Sequence, residues 1–285
     1  MKMLALALAV AAMTQEDPKP LKVLLIGNSQ CPTIVKEQFL EKLAASDKGG
    51  RPLKIGACVK GGASLRSHWD AGTGEGTARA MIAAGGWDFV VLQDIYFVQE
   101  AAFQPAARQF HALVRESGSR TLLFGTASIL SDYPKGFDRQ HGLHLAMGKE
   151  LGVPIVDASA AYFKYFGEKP STERLESLFA KDKAHPGLWG SYLYSCMIYS
   201  ALTGRSPVGL AAPDAIRRRP SRCSRKPRGR STKKRPPRSR SSLPRRRARR
   251  RDNVGVYRAF RLIPNLIGTA IPARIFSSVS QRDVT

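Results

Sequence analysis

The chain has 285 residues and carries 46 Lys and Arg against 22 Asp and Glu, a formal net charge of +24, but the excess sits at one end. Residues 216–285 hold 23 of the basic and 2 of the acidic residues, which leaves 23 against 20 in the first 215. The body is therefore nearly neutral, its roughly 190 residues suffice for one domain with a sizeable core, and no apolar run reaches the roughly 20 residues of a membrane-spanning helix.

Met1-Lys2-Met3, the apolar run from Leu4 to Ala12 and the small residues Ala9-Val10-Ala11 read as a secretory signal peptide over residues 1–12, so export to a periplasm or the cell exterior is expected. Leu21 to Ile26 is a short apolar run closed by Gly27-Asn28, the pattern of a buried strand followed by a turn. Ser29 then stands at the strand's carboxyl end, where open α/β sheets bind their ligands. From Pro32 to Ala45, Val35, Phe39, Leu40 and Leu43 recur at helical spacing with Pro in the first turn. Strand, serine turn and helix make a nucleophile turn, although Asn28 and Ser29 would also serve as plain caps for that helix.

Leu53 to Val59 predicts a second strand, and the loop after it carries Gly61-Gly62. Adjacent glycines let backbone approach a ligand closely, so an N–H there can face a developing oxyanion. Ser64 is a rival nucleophile, with a less clear strand and turn before it. Further strands are predicted at Trp87–Leu92, Thr121–Gly125 and Val153–Val156, with helical patterns around Gly76–Ala84, Phe103–Ser117, Phe137–Leu151 and Trp189–Leu202. Such alternation calls for a parallel sheet covered on both faces. Gln93, just past the third strand, offers a side-chain amide donor.

Asp182-Lys-Ala-His185-Pro186 lies ahead of the last helix. A serine hydroxyl needs a base to take its proton, and the base needs a third group to fix its tautomer; His185 and Asp182 on one tight loop supply both. His68 and His111 have no local partner. His141 and His144 are spaced to share a helix face, where a solvated face is expected over a metal site because no third ligand is spaced to join them. The four cysteines, Cys31, Cys58, Cys196 and Cys223, include no C-x-x-C; Cys58 and Cys196 lie in core patterns, so buried free thiols and no zinc are expected. Among the tryptophans only Trp69, beside His68 and Asp70, reads as a rim contact for a sugar ring, since Trp87 and Trp189 border core elements.

These blocks together resemble the SGNH/GDSL hydrolase superfamily. Ile26-Gly27-Asn28-Ser29 is similar to its first block, with Asn28 where the family name has Asp. Lys60-Gly61-Gly62-Ala63-Ser64-Leu65 resembles the glycine block, Trp87 to Asp94 the third block, with Gln93 where the family presents Asn, and Asp182-x-x-His185-Pro186 the last. Gly190 to Pro207 resembles the closing helix of many bacterial members, so the likeness spans residues 21–210. It implies a three-layer αβα sandwich on a five-stranded parallel sheet with flavodoxin-like strand order. It also implies a catalytic triad of Ser29, His185 and Asp182, an oxyanion hole from the N–H groups of Ser29 and Gly62 plus the Gln93 amide, and no cofactor. Serine-dependent hydrolysis of an ester, with an O-acetylated carbohydrate as the natural substrate, is the function expected. A catalytically silent binding domain of the same fold and a polyanion binder acting through the tail are the alternatives.

The tail from Arg217 to Arg251 is Arg, Ser and Pro with almost nothing apolar, a composition that cannot bury a core and is expected to be disordered. It would contact nucleic acid or anionic membrane nonspecifically through phosphate neutralisation. The abrupt change after Ala215 is also what a reading-frame shift in a GC-rich gene produces. Removing residues 216–285 separates the functions: an esterase keeps its activity and a polyanion binder loses its binding.

Overall fold

The computed structural model describes residues 18–97, 99–210 and 212; the segment read as a signal peptide, the basic tail and Cys223 lie outside them. Five parallel strands, β1 (Leu21–Gly27), β2 (Leu53–Val59), β3 (Phe89–Gln93), β4 (Arg120–Gly125) and β5 (Ile155–Asp157), stand in the order β2-β1-β3-β4-β5. This is the flavodoxin-like order, in which the chain reverses its direction of travel between β1 and β3 and leaves a crevice outside their carboxyl ends. Ile26 is in register with Cys58 on one side and Leu92 on the other, so the turn after β1 opens into that crevice.

Successive strand residues point to opposite faces. Val23 and Leu25 of β1, Val91 of β3 and Phe124 of β4 enter one core cluster, and Leu24, Ile26, Val90 and Leu123 enter the other. Helices α1 (Pro32–Lys36), α2 (Phe39–Ser46), α7 (Ala158–Phe166) and α9 (Leu188–Thr203) cover the first face. Helices α3 (Leu65–Asp70), α4 (Ala78–Ala83), α5 (Glu100–Glu116) and most of α6 (Lys135–Leu151) cover the second, while the short α8 (Thr172–Glu176) precedes the triad loop. Each Leu, Ile, Val or Phe taken from water in these layers contributes about 1.5–3 kcal/mol. In α9 every residue from Gly190 to Leu202 is buried, the mark of a helix enclosed all round rather than one with a solvated face. Its far end is clamped: Tyr199 and Arg205 both donate to Asp47 just past α2, with Arg205 Nη2 at 2.7 Å from Oδ1.

The helix expected over 32–45 is two helices. Ile34 and Phe39 are both buried against the same cluster, yet five residues of continuous helix would turn them about 140° apart. Gln38, at φ 51°, takes up the difference in a left-handed turn, and Phe39 packs edge-to-face on Tyr192 at 5.6 Å. Helices α3, α7 and α8 were not expected; each is short, and α7 starts directly at the end of β5 with Asp157 capping the Ala160 N–H.

Candidate active site

Ser29, His185 and Asp182 come together across 156 positions of sequence. His185 Nδ1 donates to Asp182 Oδ2 at 2.7 Å, which leaves Nε2 as the acceptor for the Ser29 hydroxyl at 2.8 Å. Asp182 is fixed in turn by its own loop: Oδ1 accepts the backbone N–H groups of Ala184 and His185, both at 3.0 Å. Those two bonds, then the imidazole, hold the carboxyl down to about 2. The loop is anchored at both ends, with Ala180 N–H donating to the His185 carbonyl at 2.8 Å and Leu130 N–H to the Lys183 carbonyl at 2.9 Å. Lys183 itself sits at φ 58°, a left-handed backbone that a non-glycine residue keeps only where its surroundings enforce it.

Three buried amides brace the serine turn. Asn28 donates its Nδ2 to the Ala63 carbonyl at 2.9 Å and accepts the Gln30 N–H at 3.1 Å, so it joins the turn to the glycine loop. Gln30 reaches the triad loop, donating to the Ala184 carbonyl at 3.2 Å. Sequence reasoning passed over Gln30 because no local pattern connects it to residue 184. The Asp94 carboxylate, whose pKa is raised by burial, accepts the N–H groups of Leu65 at 3.0 Å and Ile95 at 2.7 Å, tying α3 to the end of β3. His68 is buried as well, with Nε2 donating to the Gly27 carbonyl at 2.8 Å.

Gln93 is the third amide, and its position corrects the expectation that it donates to an oxyanion. Its side chain is wholly buried beneath the turn, where Oε1 accepts the Asn28 N–H at 2.7 Å and the Cys31 thiol at 3.3 Å. Its Nε2 donates to the Asp94 carbonyl, so the donor is consumed inside the protein. The room comes from Gly27, where a Cβ would stand 2.4 Å from Gln93 Oε1. Gln93→Ala is therefore expected to strand the buried Asn28 N–H and lower folding stability by about 1–3 kcal/mol together with kcat. Denaturant unfolding beside kinetics checks this; a kcat loss with unchanged stability would return Gln93 to the oxyanion.

Gly62 lies beside the turn at φ 71°, a conformation costly for residues with a Cβ. Among the described residues neither its N–H nor that of Ser29 has an acceptor in the protein.

The competing readings resolve structurally. Ser64 caps α3, its hydroxyl accepting the Ser67 N–H at 3.1 Å while Ser67 Oγ accepts the Ser64 N–H at 2.8 Å. Trp69 is no rim platform: it packs edge-to-face on Phe110 at 5.1 Å, with the Arg79 guanidinium 4.3 Å over its ring. The helix face expected to be solvated at His141 and His144 is not: His144 is buried against Phe103, its Nδ1 bonded to the Gln140 carbonyl at 2.8 Å, while His141 pairs with Asp157. Cys31, Cys58 and Cys196 are free thiols, and burial lifts the Cys31 thiol to about 12, which leaves it inert beside the nucleophile.

A three-layer α/β sandwich with a Ser–His–Asp constellation at its switch point is the architecture of the SGNH hydrolases, and the chain has that fold. No protein-family model matches it, nor does any curated protein. Solved structures do: a DUF4886 family protein from Bacteroides uniformis, 17% identical, covers 87% of this chain and 95% of its own with a TM-score of 0.57. A protein proposed to be an SGNH hydrolase from Slackia heliotrinireducens, 19% identical, covers 65% of this chain and 100% of its own at 0.51. The acetylxylan esterase Axe2 from Geobacillus stearothermophilus, 12% identical, covers 67% and 98% at 0.51.

Proposed function

We propose that the chain is a serine-dependent ester hydrolase, a reading carried by the continuous relay from Ser29 Oγ through His185 to Asp182 at 2.8 and 2.7 Å. Ser29 Oγ attacks the acyl carbon as its proton passes to His185 Nε2, and Asp182 stabilises the imidazolium. The oxyanion is received by the backbone N–H groups of Ser29 and Gly62, a two-donor hole. His185 then returns the proton to the departing alcohol oxygen, and water repeats the sequence on the acyl-enzyme to release the acid. A fluorophosphonate probe, followed by mapping of the labelled peptide, tests this: the label is expected on Ser29, and an unlabelled or elsewhere-labelled protein overturns it.

The substrate we infer is a small acyl group, acetyl first, on a carbohydrate alcohol. The support is a fold shared with an acetylxylan esterase and the absence, among the described residues, of a long apolar helix that would serve as a lipase-type lid. Comparison of kcat/KM on acetylated sugars with that on long-chain acyl esters checks it, the former being higher. Export, read from residues 1–12, belongs with this proposal, since a polysaccharide substrate lies outside the cell.

A further inference from the structure

We propose that the trough beside the triad loop is a subsite for an anionic group carried on the alcohol half of the ester; this rests on the hydrolase reading above. His185 Nε2 must protonate the leaving oxygen, so the alcohol lies on the His185 side of Ser29, away from the N–H groups that receive the acyl oxygen. On that side a cavity of about 380 Å³ separates residues 129–131 from Asp182, Lys183 and Ala184. Through Ser131 it continues into a second cavity of about 570 Å³, lined by Asp132, Lys135 and Arg139 among others. The Leu130 N–H bond to the Lys183 carbonyl ties the two walls of the near cavity together.

The charges along this trough are unequal. Near the triad they are neutralised: Asp182 is held by His185, and Lys183 Nζ pairs with Glu176 at 2.6 Å. At the far end Lys135 and Arg139, one turn apart at the start of α6, face the single carboxylate of Asp132. Neither enters an ion pair among the described residues, whereas Arg66, Arg108 and Arg205 all do. The body is nearly neutral, so this excess is local, and the start of the 17-residue α6 adds to it. An exposed polar trough with two unpaired cations at its end suits a hydrated alcohol bearing a carboxylate, such as a hexuronate residue, over an uncharged sugar or an acyl chain.

Two matched esters test this, methyl glucuronoside and methyl glucoside each carrying one acetyl group. For the wild-type protein at low salt the charged ester is expected to have a kcat/KM about tenfold above the neutral one, as a charge-assisted contact would give. The ratio should fall toward one in about 1 M salt, where the screening length is about 3 Å, and in the double variant Lys135→Gln, Arg139→Gln. A wild-type ratio of one, or a preference that survives the double variant, overturns the subsite. Calorimetric binding of the two unacetylated glycosides to Ser29→Ala reads the subsite without chemistry. If neither ester is hydrolysed the hydrolase reading falls, and tighter binding of the glucuronoside upholds the subsite while equal binding removes it.

Discussion

Ser29→Ala and His185→Ala are each expected to lower kcat on an acetyl ester by about 10⁶-fold, and the double variant to be no slower than either. The hydroxyl and the imidazole act as one unit, joined at 2.8 Å, so removing either disables proton transfer and attack together. What survives is stabilisation of an oxyanion formed by water attack, drawn from the backbone N–H groups that neither substitution removes. Ser29 donates its proton outward, and the turn is held by Asn28, Gln30 and Gln93 rather than by the hydroxyl. Folding stability should therefore stay within about 0.5 kcal/mol of wild type. Steady-state kinetics on purified variants, with denaturant unfolding alongside, reads both numbers. Single losses that multiply in the double variant would show that the two groups act independently and would end the triad assignment.

The parts of this fold that were legible in the sequence are those written in local pattern. β1 announced itself by an apolar run stopped at Gly27, and the Asp182–His185 loop by a spacing of three, because each is specified by neighbours in the chain. Gln93 was read as an amide donor by its chemistry, but where the amide points depends on the missing Cβ of Gly27, 66 positions earlier and on the neighbouring strand. Trp69 needed Phe110 and Arg79 to be placed. His141 and His144 share a helix face by spacing, yet the boundary between buried and exposed surface runs between them, and only the packing of α6 on Phe103 and β4 draws that line. α7 was hidden because β5 passes into it without a loop, so Ile155 to Tyr162 reads as one apolar stretch.

Asp182→Asn is expected to lower kcat by about 10⁴-fold while leaving the site's geometry in place. The asparagine oxygen still accepts the N–H groups of Ala184 and His185, which fixes the side chain as the carboxylate is fixed. Its amide nitrogen then faces His185 Nδ1, where the wild type presents an acceptor. A donor there demands a lone pair on Nδ1, so the ring proton moves to Nε2, and Nε2 no longer accepts from Ser29. In the wild type the folded loop depresses Asp182 to about 2, below the usual carboxylate value of about 3.9. The sign follows: this contribution to folding is complete above about pH 4 and is lost as pH falls toward 2. Between pH 5 and 8 Asp182 therefore stays charged, and a fall in turnover on the acid side belongs to protonation of His185 rather than to Asp182. Wild type and variant should accordingly show a stability difference that does not vary with pH over that range, alongside the large and persistent gap in kcat. Comparable kcat values across that range would show that Asp182 does not set the tautomer of His185.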